Sequence, residues 1–155
     1  MSPIKVMPRI IKLSRYKIKG IGETLESVRL LEGQGMEGDF HAQGGDRQLS
    51  LLCMETRQWM DGQSEKGLCF GRYKENVLLD GIISEDLVPG MRLKTGEAIL
   101  EISDTSKDCF KECTLFNSGQ HCHLAGRSLF AKVIHSGLVK TGDYLQINNF
   151  KTAIS

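Results

Sequence analysis

Two stretches concentrate side chains that could do chemistry. The first is "GMEGDFHAQGGDRQLSLL", Gly35 to Leu52, with four glycines, two aspartates, a histidine and an arginine ahead of strand-forming residues. A plain connecting turn needs only about two to five residues and no such side chains. Glycines let backbone N–H groups converge on an anion. Arg47 offers a forked, permanent charge to phosphate or carboxylate. His41 can donate or accept beside it, and Asp39 can cap the loop or orient His41. Residue types alone support equally a structural loop in which Asp39 and Arg47 pair with each other. The segment is not a phosphate-binding P-loop, because the Gly-Lys-Ser/Thr ending is missing.

The second stretch is "KDCFKECTLFNSGQHCHLAG", Lys107 to Gly126. Cys109 and Cys113 are four apart and would share a face on a helix. Lys107 and Lys111 flank Cys109 and favour its thiolate, which can carry sulfur as a persulfide or bind a soft metal. Cys109, Cys113, His121, Cys122 and His123 also form a rough zinc set. Their spacing is not the usual two close pairs, so structural zinc is the lesser reading. Cys53 continues an apolar strand and Cys69 sits between Leu68 and Phe70, so both read as buried, inert thiols. Glu75 and Asn76 open a strand and could read the hydrogen-bonding edge of a heterocycle; a solvated strand end is the plainer reading. His135 reads as a turn-flanking side chain.

The elements that must position these groups are mostly strands. Ile4 to Leu13 and Glu26 to Leu31 suit strands. "RQLSLLCM" reads as a mostly buried strand running into a short helix at "METRQWMDGQ", and "ENVLLDGI" is another strand closed by Asp80-Gly81. In "MRLKTGEAILEI", Ala98, Leu100 and Ile102 keep the two-residue period of a strand after a turn at Thr95-Gly96-Glu97. "FAKVIHSGLVKTGDYLQI" repeats the style, with turns at Ser136-Gly137 and Thr141-Gly142-Asp143. The echo between "LKTGE" and "VKTGD" is explained by two similar hairpins. Short strands at close spacing, punctuated by glycine, imply a mainly-β sandwich or barrel with a few helices.

Chain-wide properties narrow the function. With 155 residues, one domain is expected. The net charge of +1 leaves no global field toward nucleic acid or an anionic membrane. No apolar run is long enough for a membrane span. The N-terminal residues mix Lys and Arg among apolar ones and read as a strand rather than a signal peptide. Five cysteines, an odd number, argue against a disulfide framework and for the reducing cytosol.

Taken in order, "GMEGDFHAQGGDRQLSLL", "ENVLLDGI", "LVPGMRLKTGEAILEI", a cysteine soon after, and "FAKVIHSGLVKTGDYLQI" resemble the MOSC domain family, named for the C-terminal part of molybdenum cofactor sulfurase. The resemblance runs from about Ile10 to Ile147, and the chain looks like the short stand-alone bacterial members. It implies a closed β-barrel with a few small helices. It also implies a pocket for the molybdenum cofactor (molybdopterin), or a pterin-phosphate relative, beside a key cysteine that maps onto Cys109. Family members carry sulfur as a cysteine persulfide and deliver it to a metal centre; in the amidoxime-reducing relatives the equivalent cysteine coordinates molybdenum. Gly38, Asp39, His41, Gly44, Gly45, Arg47 and Gln48 would line the pocket, with Glu75 and Asn76 added as cofactor contacts. The larger relatives carry an additional N-terminal β-domain for which this chain has no room. No pyridoxal-phosphate desulfurase domain is expected in this sequence, so if sulfur is carried another protein must load it.

Three functions are therefore expected to compete. The first is a sulfur carrier or transferase, served by a desulfurase donor and an acceptor metalloenzyme. The second is an oxidoreductase that binds molybdenum through Cys109 and reduces N-hydroxylated compounds. The third is a non-catalytic module that binds or delivers the cofactor.

Overall fold

The structure is a computed structural model that describes residues 7–18, 21–40, 42–45, 47–61, 75–104 and 129–148. The described chain is mainly β with little helix. Its strands are β1 (Arg9–Ile18), β2 (Ile21–Leu25), β3 (Ser27–Leu31), β4 (Gly35–Met36), β5 (Leu49–Cys53), β6 (Val77–Asp80), β7 (Arg92–Thr95), β8 (Ala98–Asp104), β9 (Leu129–His135), β10 (Gly137–Lys140) and β11 (Leu145–Asn148). One helix, α1 (Met54–Asp61), follows β5, and a short 3-10 turn spans Ser84–Asp86.

An eight-stranded sheet runs β11-β7-β8-β9-β5-β6-β1-β2, and a three-stranded sheet runs β10-β3-β4. Among the described residues neither sheet closes through a continuous ladder. The start of β1 nevertheless meets the start of β11. Arg9 and Tyr144 form an isolated antiparallel bridge. Beside it, Leu145 N donates to Pro8 O at 2.8 Å and Gly142 N to Ile10 O at 2.7 Å.

The alternation expected of β8 holds: Ala98, Leu100 and Ile102 are buried, while Ile99, Glu101 and Ser103 are half-buried. Leu129, Ala131 and Val133 on β9 do the same. Together with Leu13, Leu49, Leu51, Leu93 and Val139 they make the core. Removing such side chains from water is the main stabilising term.

Several elements differ from the sequence expectation. The first strand begins at Arg9 rather than Ile4, as far as the described residues reach, because Pro8 has no N–H to give a ladder. Strand β2 was not expected. It holds Gly22 and Glu23, is almost wholly exposed, and forms by pairing with β1 at the sheet edge. The second echo, "VKTGD", is not a hairpin: β10 pairs with β3, whereas β11 pairs with β7. Only "LKTGE" joins paired neighbours, β7 and β8. The β5–β6 pair is parallel, which requires the crossover that α1 begins.

Candidate functional site

A buried polar seam crosses the sheet where the glycine segment enters it. Asn76, 1% exposed, is the centre. Its Nδ2 donates to Ser14 O and to Asp39 Oδ1, each at 3.1 Å. Its Oδ1 accepts from Ser50 N and Ser50 Oγ, each at 3.0 Å. Its own backbone N–H faces Ser50 O at 2.9 Å. Asp39 is also buried and accepts from Tyr16 N at 2.7 Å. Buried polar groups must be paired or they destabilise, and Asn76 spends both of its amide atoms inside the protein.

Glu75 extends the seam. Its carboxylate is buried and forms a short ion pair with Arg57 on α1. Its carbonyl accepts from Tyr16 Oη at 3.4 Å. Burial, and then the Glu75 carboxylate, push the Tyr16 phenol up from its usual pKa, so it stays protonated and able to donate. Glu75 and Asn76 are therefore not the solvated strand end that their sequence suggested. Both are buried, because Asn76 satisfies three separate chain segments at once.

The glycine segment wraps the end of this seam. Gly35 has φ 137°, and a Cβ there would lie 2.3 Å from Gln48 O, so the position admits no side chain. Gln48 is buried: its Nε2 donates to Gly45 O at 2.9 Å and its Oε1 accepts from Val133 N at 2.9 Å. Gln48 thus pins the loop to β9 instead of facing a ligand. Gly38, at φ 81°, lies under the Arg15 side chain, whose Nε donates to Glu23 at 2.7 Å. Gly44 and Gly45 also have positive φ, and a Cβ at Gly45 would meet none of the described residues within 4 Å.

Arg47 behaves differently from its neighbours. It is exposed, and its guanidinium carbon lies 4.5 Å from the centroid of the Phe130 ring. Phe130 is opposite Ser50 on β5 and opposite Asp104 on β8. The pairing register shifts between Ile102 and Asp104, a bulge-type irregularity at the end of β8. Bulges of this kind re-aim the chain beside functional sites. One row thus links Asn76, Ser50, Phe130 and the last residue of β8.

The structure brings Gly38, Asp39, Gln48, Glu75 and Asn76 into the seam and sets Gly44, Gly45 and Arg47 at its rim. His41 and Cys109 lie outside the described residues, as do Cys69, Cys113, His121, Cys122 and His123. Cys53 is buried, and burial pushes its thiol up to about 12, in keeping with an inert role. His135 is exposed at the end of β9, as expected of a turn-flanking residue. Tyr16, Ser50, Arg57 and Phe130 were missed by sequence reasoning. Each meets the site through a partner far away in the chain, which no local pattern announces.

A family model described as MOSC domain matches residues 37–148. No curated protein matches the chain. Among solved structures, the chain is similar to the YUAD protein from Bacillus subtilis. The identity is 20% and the TM-score 0.66, over 92% of this chain and 96% of that one. It is also similar to YiiM from Escherichia coli, with 21% identity and a TM-score of 0.59 over 90% of this chain and 69% of that one. At such identities the likeness is one of fold.

Proposed function

The chain belongs to the MOSC domain family, which is associated with molybdenum cofactor binding, and from that premise we propose that it is a sulfur carrier acting on this cofactor. Cys109 holds sulfur as a persulfide. Arg47 and the backbone at Gly44 and Gly45 receive the anionic end of the cofactor. A cysteine desulfurase loads the sulfur and a metalloenzyme accepts it, in the cytosol.

One observation carries the reading. Arg47 stacks on Phe130, which pairs with Asp104 at the end of β8, and Cys109 follows five residues later in the sequence. The glycine rim and the end of β8 therefore lie at the same end of the sheet. The residues present fit an anionic group: among the described residues nothing lies within 4 Å over Gly45, and Arg47 is exposed near it. Among the described residues no group of three His, Cys, Asp or Glu side chains could hold a metal ion. In this reading the rim receives the anion, and the cofactor would supply the metal–sulfur centre to which sulfur is delivered.

Loading needs only the thiolate. Cys109 attacks the terminal sulfur of the donor persulfide, and a new S–S bond forms on Cys109. The donor's S–S bond breaks and the donor leaves as a thiolate, with no net oxidation. Lys107 and Lys111, adjacent in sequence, favour the reacting thiolate.

The family also leads us to read the whole chain as one domain, with its core at about residues 10–147, and the large sheet as a closed barrel. The bridge between Arg9 and Tyr144 supports this, since it joins β1 to β11 and leaves β2 as a spur.

The test is mass spectrometry after incubation with a cysteine desulfurase and cysteine. A reductant-labile adduct of about 32 Da is expected on Cys109. Cys109→Ser should abolish it and Cys53→Ser should not. A wild-type protein that never loads sulfur defeats the carrier reading. Stoichiometric molybdenum retained through Cys109 would put an oxidoreductase in its place.

A further inference from the structure

The other end of β1 carries a second arrangement that the proposed function does not use. Arg9 is the cross-strand partner of Asp80 on one side and of Tyr144 on the other. Cross-strand neighbours sit with Cβ atoms roughly 4.5–5.5 Å apart, so the three side chains form one row. All three are exposed, Tyr144 to 60%. With Met7 and Gly81 they line an open concavity of about 360 Å³, a size that suits a small molecule. Gly81 shapes its floor: at φ 86°, a Cβ there would come within 3.1 Å of Met7 O and Pro8 Cα.

Among the described residues neither Arg9 nor Asp80 forms an ion pair, although they are strand neighbours. A simple anion is drawn by Arg9 and repelled by Asp80, and a simple cation meets the reverse. The ligand that satisfies both carries opposite charges a few bonds apart. The Tyr144 ring and the Met7 thioether flank those charges with apolar surface and can cover an aliphatic side chain.

We propose that the row Asp80–Arg9–Tyr144 is a binding site for a free α-amino acid with an apolar side chain. Arg9 takes the carboxylate, Asp80 takes the ammonium, and Tyr144 with Met7 packs on the side chain. The site does not depend on the sulfur-carrier reading. Arg9 and Tyr16 lie seven residues apart on β1, which at the rise of a strand is about 20 Å.

The test is an amide-resolved NMR titration of the full chain with L-leucine. Isocaproate, which lacks the ammonium, and isoamylamine, which lacks the carboxylate, are the comparison ligands. Saturable shifts at Gly81 and Tyr144 are expected with L-leucine. Each analogue should bind at least about tenfold more weakly, the loss of one charge-assisted contact. Arg9→Gln and Asp80→Asn should weaken L-leucine to the same degree. Both side chains are exposed, so the remaining amide spectrum should be unchanged and will report that the variants fold. No saturable shift in the wild type would overturn the proposal. So would equal binding of isocaproate, or a loss in only one variant, either of which would reduce the row to a simple ion site.

Discussion

The seam around Asn76 and the rim around Arg47 contain residue types that suggest the same task, yet they are built in opposite ways. Asn76, Asp39 and Gln48 are buried and spend their polar atoms on the backbone of distant segments. Arg47 is exposed on an aromatic face, near Gly45, over which no described residue lies within 4 Å. A polar side chain whose donors and acceptors are all used inside the protein has little left for a ligand. The seam therefore holds the glycine segment in place, and the rim is where a ligand can be read.

Breaking the seam should cost stability first. Asn76→Ala takes a donor from Asp39 and from the Ser14 carbonyl and an acceptor from Ser50, while Asp39 keeps Tyr16 N and Ser50 Oγ keeps the Asn76 N–H. At about 1–3 kcal/mol for each buried group left unsatisfied, a loss of roughly 2–4 kcal/mol is expected in urea unfolding. A loss below about 1 kcal/mol would mean that water replaces Asn76 and that the seam is not structural.

Glu75→Gln should be the next largest, at about 1–3 kcal/mol, because it leaves Arg57 without its charged partner. Arg57 is partly exposed, which keeps the cost below that of a fully buried pair. The conservative Glu75→Asp, by shortening the reach to α1, should lose part of the same stability. No loss in either variant would remove the ion pair from the account.

Cys53 sharpens the contrast among the thiols and should give the smallest effect. A raised pKa means that the folded state holds its proton more tightly than the unfolded chain. Its contribution to stability is therefore fully present below about pH 9 and is lost as pH rises toward about 12. Limiting alkylation of the native protein at neutral pH should leave Cys53 unlabelled and label Cys109 first. Early labelling of Cys53 would contradict its burial.

How much of this was legible in the sequence depends on the range of the interaction. The alternation of Ala98, Leu100 and Ile102 is local, and it correctly gave β8 and its buried face. The order of blocks from the glycine segment to "GDYLQI" gave the family. The seam was not legible, because Asn76 meets Ser14 and Asp39 across 62 and 37 positions, and nothing near Asn76 announces those partners. For the same reason Gln48 read as a pocket residue when it is a staple to Val133. Phe130 read as one more strand residue, although its pairing with Asp104 is what sets Arg47 beside the end of β8. Strand β2 escaped because an exposed edge strand has no apolar period to show.

The central claim is that the rim reads the ligand and the seam only holds it. Titrating a phosphorylated pterin against Arg47→Ala and Asn76→Ala, with a melting curve for each, tests it directly. Arg47→Ala should weaken binding by about 1.5–3 kcal/mol, on the order of 10- to 150-fold. Its stability should change by no more than about 1 kcal/mol, the size of an exposed cation–π contact. Asn76→Ala should lose stability, while its folded fraction keeps near wild-type affinity. The reverse pattern, with affinity lost through Asn76 and stability lost through Arg47, would contradict the account.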